Sequence, residues 1–241
     1  MIVSDLPTER RIKMVIVALD FPDKEKTIEF LKKFDEPLWV KVGMELFYGC
    51  GPEIIKEIKK LGHHIFLDLK LHDIPNTVKS AMKNLAKLDV DMVNVHAKGG
   101  IKMMSECLTA FDGMEKKPLV IAVTELTSTS QEMLTNELLC STTMEEMVIK
   151  HAKNAKEAGL NGVVCSPLEV KAIKKACGND FITVTPGIRL ESNSKDDQVR
   201  ITTPKDARIL GTNFIVVGRP ITKADDPVKA YKQIRKDFLG E

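Results

Sequence analysis

Eight short apolar runs recur along almost the whole chain, each followed by an amphipathic stretch. They are MVIVALD (14–20), WVKVG (39–43), HIFLDLK (64–70), MVNVHA (92–97), LVIAVTEL (119–126), GVVCS (162–166), FITVTPGI (181–188) and FIVVGR (214–219). Their apolar character is near-continuous rather than alternating, which suits strands of a parallel sheet buried on both faces. Helical patterns fill the intervals at 24–34, 52–61, 75–88, 99–111, 143–158, 167–176, 204–210 and 225–238. In the first, Ile28, Leu31 and Phe34 form one stripe; the second opens at Pro52 and stops before Gly62, favourable residues for a helix start and stop. Strands alternating with helices demand parallel pairing through right-handed crossovers. Eight such units predict the α/β class and a closed (β/α)8 TIM barrel, a single domain over 1–241. Six would have pointed to an open doubly wound sheet.

Composition narrows the partners. Of 241 residues, 43% are hydrophobic and 29% charged, a globular profile with enough apolar surface for a large core. The 36 basic and 34 acidic residues leave a net charge of +2, too little to draw the chain to nucleic acid or a membrane. Any anion must therefore be held by a local site. The cysteines Cys50, Cys107, Cys140, Cys165 and Cys177 are odd in number and form no C-x-x-C pair. That pattern favours a reduced, cytoplasmic setting over a disulfide framework or a zinc site. The opening MIVSDLPTERR has no apolar core of signal-peptide length, and no apolar run is long enough to span a bilayer.

In barrels of this kind the active site lies at the C-terminal ends of the strands. Charges collect there. Asp20 ends the first strand, Lys41 interrupts the apolar second, Asp68 and Lys70 end the third, and Asp73 follows. Residues two apart on a strand share a face. If Leu67 and Leu69 face the helices, Asp68 and Lys70 face the barrel axis, and Lys41 does so if Val40 and Val42 point outward. A lone Asp–Lys pair would read as a structural ion pair. Four or five charges from three consecutive strands would not, because burying each costs several kcal/mol and apolar replacements are often as stable.

Two stretches read as long loops, 127–142 and 190–203; the second, LESNSKDDQVRITT, is a candidate lid. Strand seven runs into TPGIR (185–189) and strand eight into VGRP (217–220). The loops after these two strands hold phosphate in phosphate-binding barrels. Gly187 and Gly218 would admit close backbone approach, and Arg189 and Arg219 would donate to phosphate oxygens. Gln198 would close over the same group from the lid.

The block DLKLHDIPNTV (68–78) resembles the D-x-K-x-x-D-I-x-x-T signature of the orotidine 5′-phosphate decarboxylases. ALD at Asp20, KVG at Lys41, ELTS at Thr127 and Ser128, TPGIR at Pro186 and Arg189, DDQ at Gln198, and VGRP at Gly218 and Arg219 follow in order, so the likeness runs from about residue 14 to 222. It implies decarboxylation of orotidine 5′-monophosphate to UMP without a cofactor or metal. Lys41, Asp68, Lys70 and Asp73 would form an alternating charged network, with Lys70 protonating the product carbon. Asp20 and Lys41 would contact the ribose hydroxyls, and Ser128 or Thr127 the pyrimidine edge. Arg219, with Gln198, Arg189 and the Gly218 backbone, would hold phosphate. Asp73 and Thr77 would be shared across the interface of a homodimer.

Two other readings stay open. Related barrels use a similar D-x-K-x-x-D strand for Mg²⁺-assisted enediolate chemistry on sugar phosphates; Lys41 and the I-P-N-T continuation after Asp73 favour the nucleotide. A non-catalytic nucleotide-phosphate sensor would gain little from an intact Asp–Lys–Asp network. Among the remaining signals, His63 and His64 read as surface residues on the face away from the site. His72 reads as a packing or interface residue, His96 as facing the site without a first-hand role, and the methionines as core filler.

Overall fold

The computed structural model describes residues 13–189 and 202–241. The first half of the chain lays down β1 (Met14–Ala18), α1 (Lys24–Leu31), β2 (Trp39–Gly43), α2 (Met44–Cys50), α3 (Glu53–Lys60), β3 (His64–Leu71), α4 (Pro75–Leu85), β4 (Met92–His96) and α5 (Gly100–Leu108). The second adds β5 (Leu119–Val123), α6 (Gln131–Asn136), α7 (Met144–Glu157), β6 (Gly162–Val164), α8 (Val170–Cys177), β7 (Ile182–Thr185), α9 (Pro204–Leu210), β8 (Phe214–Val217), α10 (Arg219–Thr222) and α11 (Pro227–Leu239). The strands pair in parallel in chain order, and β8 returns to β1 to close the barrel. The fold is therefore the expected (β/α)8 barrel.

Strand alternation sorts the core into two layers. Val15, Val17, Val40, Val42, Ile65, Leu67, Val93 and Val95 point outward into the large cluster beneath the helices. Ile16, Ala18, Trp39, Phe66, Met92, Ile121, Val184, Phe214 and Val216 fill the lumen. The lumen is thus plugged by apolar side chains through its lower levels, and only the C-terminal mouth is left for polar groups. Gly162 lets β6 lie close to β7, since a Cβ there would collide with the Ile182 backbone.

Several elements depart from the sequence expectations. The ladder ends earlier than the apolar runs on β1, β5, β6, β7 and β8, because the last residues of each run leave the sheet to become the loops of the mouth. Helix α2 occupies an interval in which the sequence pattern marked no helix, and α6 lies inside the expected 127–142 loop, where the Ser130 hydroxyl accepts the Met133 N–H as its N-cap. A third short helix, α10, begins at Arg219. His63 is not a surface residue: it is 3% exposed, and its Nδ1 accepts the Leu38 N–H at 3.1 Å. His64 is half-buried, stacked on Trp39 with ring centroids 5.2 Å apart. The connection entering β3 is tucked under the barrel, so both rings pack at its N-terminal end.

That end is tied by one carboxylate. Asp91 Oδ2 accepts the Ile65 N–H at 2.9 Å and lies 3.1 Å from Lys59 Nζ; its Oδ1 lies 3.0 Å from Lys116 Nζ and 3.5 Å from His64 Nδ1. Burial opposes its ionisation, but the bonds from His64, the Ile65 N–H and Lys116, with the charge of Lys59, outweigh it and hold Asp91 well below the usual carboxylate range. A depressed folded-state pKa gives stability that is complete above the unfolded value of about 4 and is lost as pH falls below it. Asp91→Ala should cost about 3 kcal/mol at pH 7, the low end for a broken buried pair because its lysines are partly solvated. Thermal melts from neutral to acid pH should show the gap between the two proteins narrowing below about pH 4.

Candidate active site

A cavity of about 280 Å³ opens at the C-terminal mouth. Asp20, Lys41, Asp68, Lys70, Thr127, Pro186, Arg189, Gly218 and Arg219 all line it. A larger hollow of about 840 Å³ lies beside Asp91 at the opposite end, away from this cluster.

The charges alternate across three strands. Lys41 Nζ lies 3.2 Å from Asp20 Oδ1 and 3.6 Å from Asp68 Oδ2, and Lys70 Nζ donates to Asp68 Oδ1 at 2.8 Å. Asp68 is 7% exposed. Its burial disfavours the anion, yet Lys41, Lys70 and the Asn94 amide outweigh it and keep the carboxyl below its ordinary value. Asp68 is therefore ionised at neutral pH and anchors two cations. Gly43 helps to place one of them, because a Cβ there would come within 3.0 Å of Lys41 Nζ.

Lys70 and Asp68 share the inward face, although β3 is irregular between them and β4. Pairing is in register at Leu67–Val93 and resumes at Leu71–Val95, and Lys70 takes a left-handed backbone with φ 52°. Asn94 and His96, inward neighbours of Met92 on β4, back this segment. Asn94 Oδ1 accepts the Lys70 N–H at 2.8 Å, and Asn94 Nδ2 donates to Asp68 Oδ1 at 2.6 Å. The His96 ring lies 5.6 Å from that of His72. Burial first, then the nearby cations, push His96 down to about 4, so it is neutral near pH 7.

At the other side of the mouth, Ile188 bridges to Thr202, with the Arg189 N–H donating to Thr202 O at 2.9 Å and the Thr202 N–H to Gly187 O at 3.0 Å. This bridge joins the two ends of the 190–201 segment. Gly187 takes φ 83°, a turn that suits glycine. Gln198 and most of the expected lid lie outside the described residues. Arg219 opens α10 directly after Gly218, and Arg189, Arg219, Gly187 and Gly218 line the same cavity as Lys41 and Lys70.

Three residues of the sequence-based site are not on the cavity wall of this chain. Ser128 is exposed beside the lining residue Thr127. Thr77 is exposed on the first turn of α4. Asp73 is exposed too, and its Oδ1 accepts the Ile74 N–H at 2.7 Å rather than meeting Lys70.

The structure also brings in residues that the sequence reading passed over. Glu125 lines the cavity with its side chain 1% exposed. Its Oε2 lies 3.0 Å from Lys98 Nζ and its Oε1 3.6 Å from His151 Nδ1, which also bonds Thr124 O at 3.0 Å. Burial lowers the His151 pKa despite the Glu125 charge. A glutamate in an otherwise apolar strand run was the one available signal for this cluster. Nothing local distinguished Asn94.

Residues 13–234 match the Orotidine 5'-phosphate decarboxylase / HUMPS family. An orotidine 5′-phosphate decarboxylase of Bacillus cereus is 57% identical over 234 residues, 94% of this chain and 97% of that protein. One from Staphylococcus aureus is 57% identical over 224 residues, covering 93% and 97%. The crystal structure of the orotidine 5′-phosphate decarboxylase from Lactobacillus acidophilus superposes with a TM-score of 0.84 at 47% identity, covering 94% of this chain and 99% of that one. A closed barrel with this charged mouth, matched over nearly its full length, places the chain in the orotidine 5′-phosphate decarboxylase / HUMPS family, as an enzyme of the carbon–carbon lyase type.

Proposed function

We propose that the chain decarboxylates orotidine 5′-monophosphate to UMP, for pyrimidine biosynthesis, as a cytoplasmic homodimer that uses no cofactor. The alternating Asp20–Lys41–Asp68–Lys70 array at the mouth is the observation that carries this reading. The names of the relatives at 57% identity support the nucleotide over a sugar phosphate.

Breaking the bond between C6 and the carboxyl carbon releases CO₂ and leaves the electron pair on C6, in the plane of the pyrimidine. That pair is orthogonal to the ring π system, so delocalisation does not stabilise it. Fixed charges must do so instead. The Lys70 ammonium faces the developing pair and then transfers a proton to C6; solvent returns the proton to the amine. Asp68, ionised and bonded to Lys70, keeps that amine aimed. The same carboxylate set against the substrate carboxylate raises the ground state, a second and smaller contribution. Arg219, Arg189, Gln198 and the Gly218 backbone take the phosphate, and binding energy gathered there holds the ring against the charged array. Asp20 and Lys41 reach the ribose hydroxyls, and Thr127 or Ser128 the pyrimidine edge. In the dimer, the exposed Asp73 and Thr77 complete the site of the second subunit.

The loss of orotidine 5′-monophosphate absorbance, followed with chelator-treated protein, tests the reaction. Turnover that needs added Mg²⁺, or that occurs only on a sugar phosphate, would point to the other chemistry of the family. Tight UMP binding without turnover would make the chain a sensor. Lys70→Ala should lose more than about 1,000-fold in kcat while keeping its fold and its UMP affinity; near-normal turnover would remove Lys70 from the proton transfer. Arg219→Ala should act mainly on kcat/KM and should lower the preference for the nucleotide over phosphate-free orotidine; an unchanged preference would free Arg219 from the phosphate. Mixing inactive Lys70→Ala and Asp73→Asn proteins under subunit exchange should restore roughly a quarter of wild-type activity, since each hybrid dimer holds one intact site. No recovery in demonstrated hybrids would mean that Asp73 serves its own chain.

A further inference from the structure

Between the register pairs Leu67–Val93 and Leu71–Val95, three residues of β3 run alongside one of β4, Asn94. The backbone ladder is interrupted over that stretch, as at any bulge. Lys70 sits in the gap with φ 52°, a conformation that crowds the Cβ of any residue but glycine. One side chain closes the gap. Asn94 Oδ1 accepts the Lys70 backbone N–H at 2.8 Å, and Asn94 Nδ2 donates at 2.6 Å to Asp68 Oδ1, the same atom that accepts from Lys70 Nζ. Asn94 is 1% exposed, so these bonds are shielded from water. Its partners also fix which way the amide points, because an N–H requires the oxygen and a carboxylate requires the NH₂.

We infer that Asn94 is a positioning residue for the proton donor, holding the Lys70 backbone in its left-handed turn and Asp68 in line with the ammonium. The inference rests on the proposed role of Lys70 in protonating C6. It is specific to the amide. An apolar side chain would leave a buried N–H without a partner. A carboxylate would accept that N–H but would set a second anion against Asp68.

The Asn94→Asp variant turns this difference into a pH profile. When protonated, the new carboxyl offers one O–H and one C=O, as the amide does; when ionised, it offers only acceptors. The groups around it are Asp68 and Lys70 on β3, Lys41 on β2, Asp20 beyond β1, His96 two residues further along β4 with His72 against its ring, and Glu125 after β5 with Lys98 and His151 against it. Of these, Asp68 lies nearest and is an anion, so the new carboxyl should titrate above the usual carboxylate range.

Three measurements on the full-length protein decide the matter. Asn94→Ala should lower kcat about 100-fold, the scale of a slightly misplaced catalytic group, with KM and UMP affinity changed less than about threefold. Asn94→Asp should be no better than Asn94→Ala near pH 8 and should recover at least about tenfold in kcat towards pH 5, each relative to wild type at the same pH. In ligand-free wild type the Lys70 amide should exchange slowly with deuterated solvent, and Asn94→Ala should speed it selectively, leaving β8 amides protected. Wild-type kcat in Asn94→Ala, parallel pH profiles for the two variants, or fast Lys70 exchange in wild type would each overturn the inference. If Asn94→Ala does not fold, the Asn94→Asp profile and wild-type exchange still decide it. Absence of wild-type turnover on orotidine 5′-monophosphate would instead defeat the reaction assignment, and the exchange measurement would still report whether Asn94 holds the Lys70 backbone.

Discussion

The site depends on one buried anion. Asp68 accepts from Lys70 and Asn94 on one oxygen and faces Lys41 with the other. A carboxylate in this position is costly unless its neighbours supply compensating charge and hydrogen bonds. They do, and the consequence is mutual: the anion holds two ammonium groups in place in a cavity whose apolar wall includes Phe66, Val123, Val164 and Val216. Under the proposed reaction, charges held this way would cost no reorganisation as negative charge develops beside them.

The fold makes that arrangement affordable by dividing its labour between two ends. At the N-terminal end Asp91 also gathers cations, but around a backbone N–H and between the starts of strands, where it ties β3 to β4. At the C-terminal end the inward positions above the apolar plug carry Lys41, Asp68 and Lys70. The two acidic centres resemble each other in chemistry and differ in surroundings: Asp91 takes a backbone N–H as well as cations, whereas Asp68 lies among the charged groups of the C-terminal mouth.

Much of this was legible in the chain. The continuous apolar runs marked eight parallel strands because both faces of each are buried, and charges at the ends of such runs had few structural explanations. Asp20, Lys41, Asp68 and Lys70 could be placed at one mouth from their positions at strand ends, with period-two alternation turning Lys41, Asp68 and Lys70 inward. The short helices α2, α6 and α10 were less visible, because each spans seven residues or fewer and shows no long apolar stripe. His63 looked like surface because histidine is ambivalent, and burial depends on what folds over it. Ser128 and Thr127 were indistinguishable as candidates in sequence, yet only Thr127 lines the cavity within this chain.

Sequence by itself determined the strand count, the parallel order and the inward direction of Lys41, Asp68 and Lys70, since these follow from side-chain periodicity along a single segment. Only the tertiary structure decided what those charges touch. The partnership of Asn94 with Lys70 and Asp68 joins residues 24 and 26 positions apart across a bulge, and Glu125 meets Lys98 and His151 from three different elements. Such contacts depend on strand stagger and backbone conformation, notably the left-handed turn at Lys70, which no local pattern of residue types encodes.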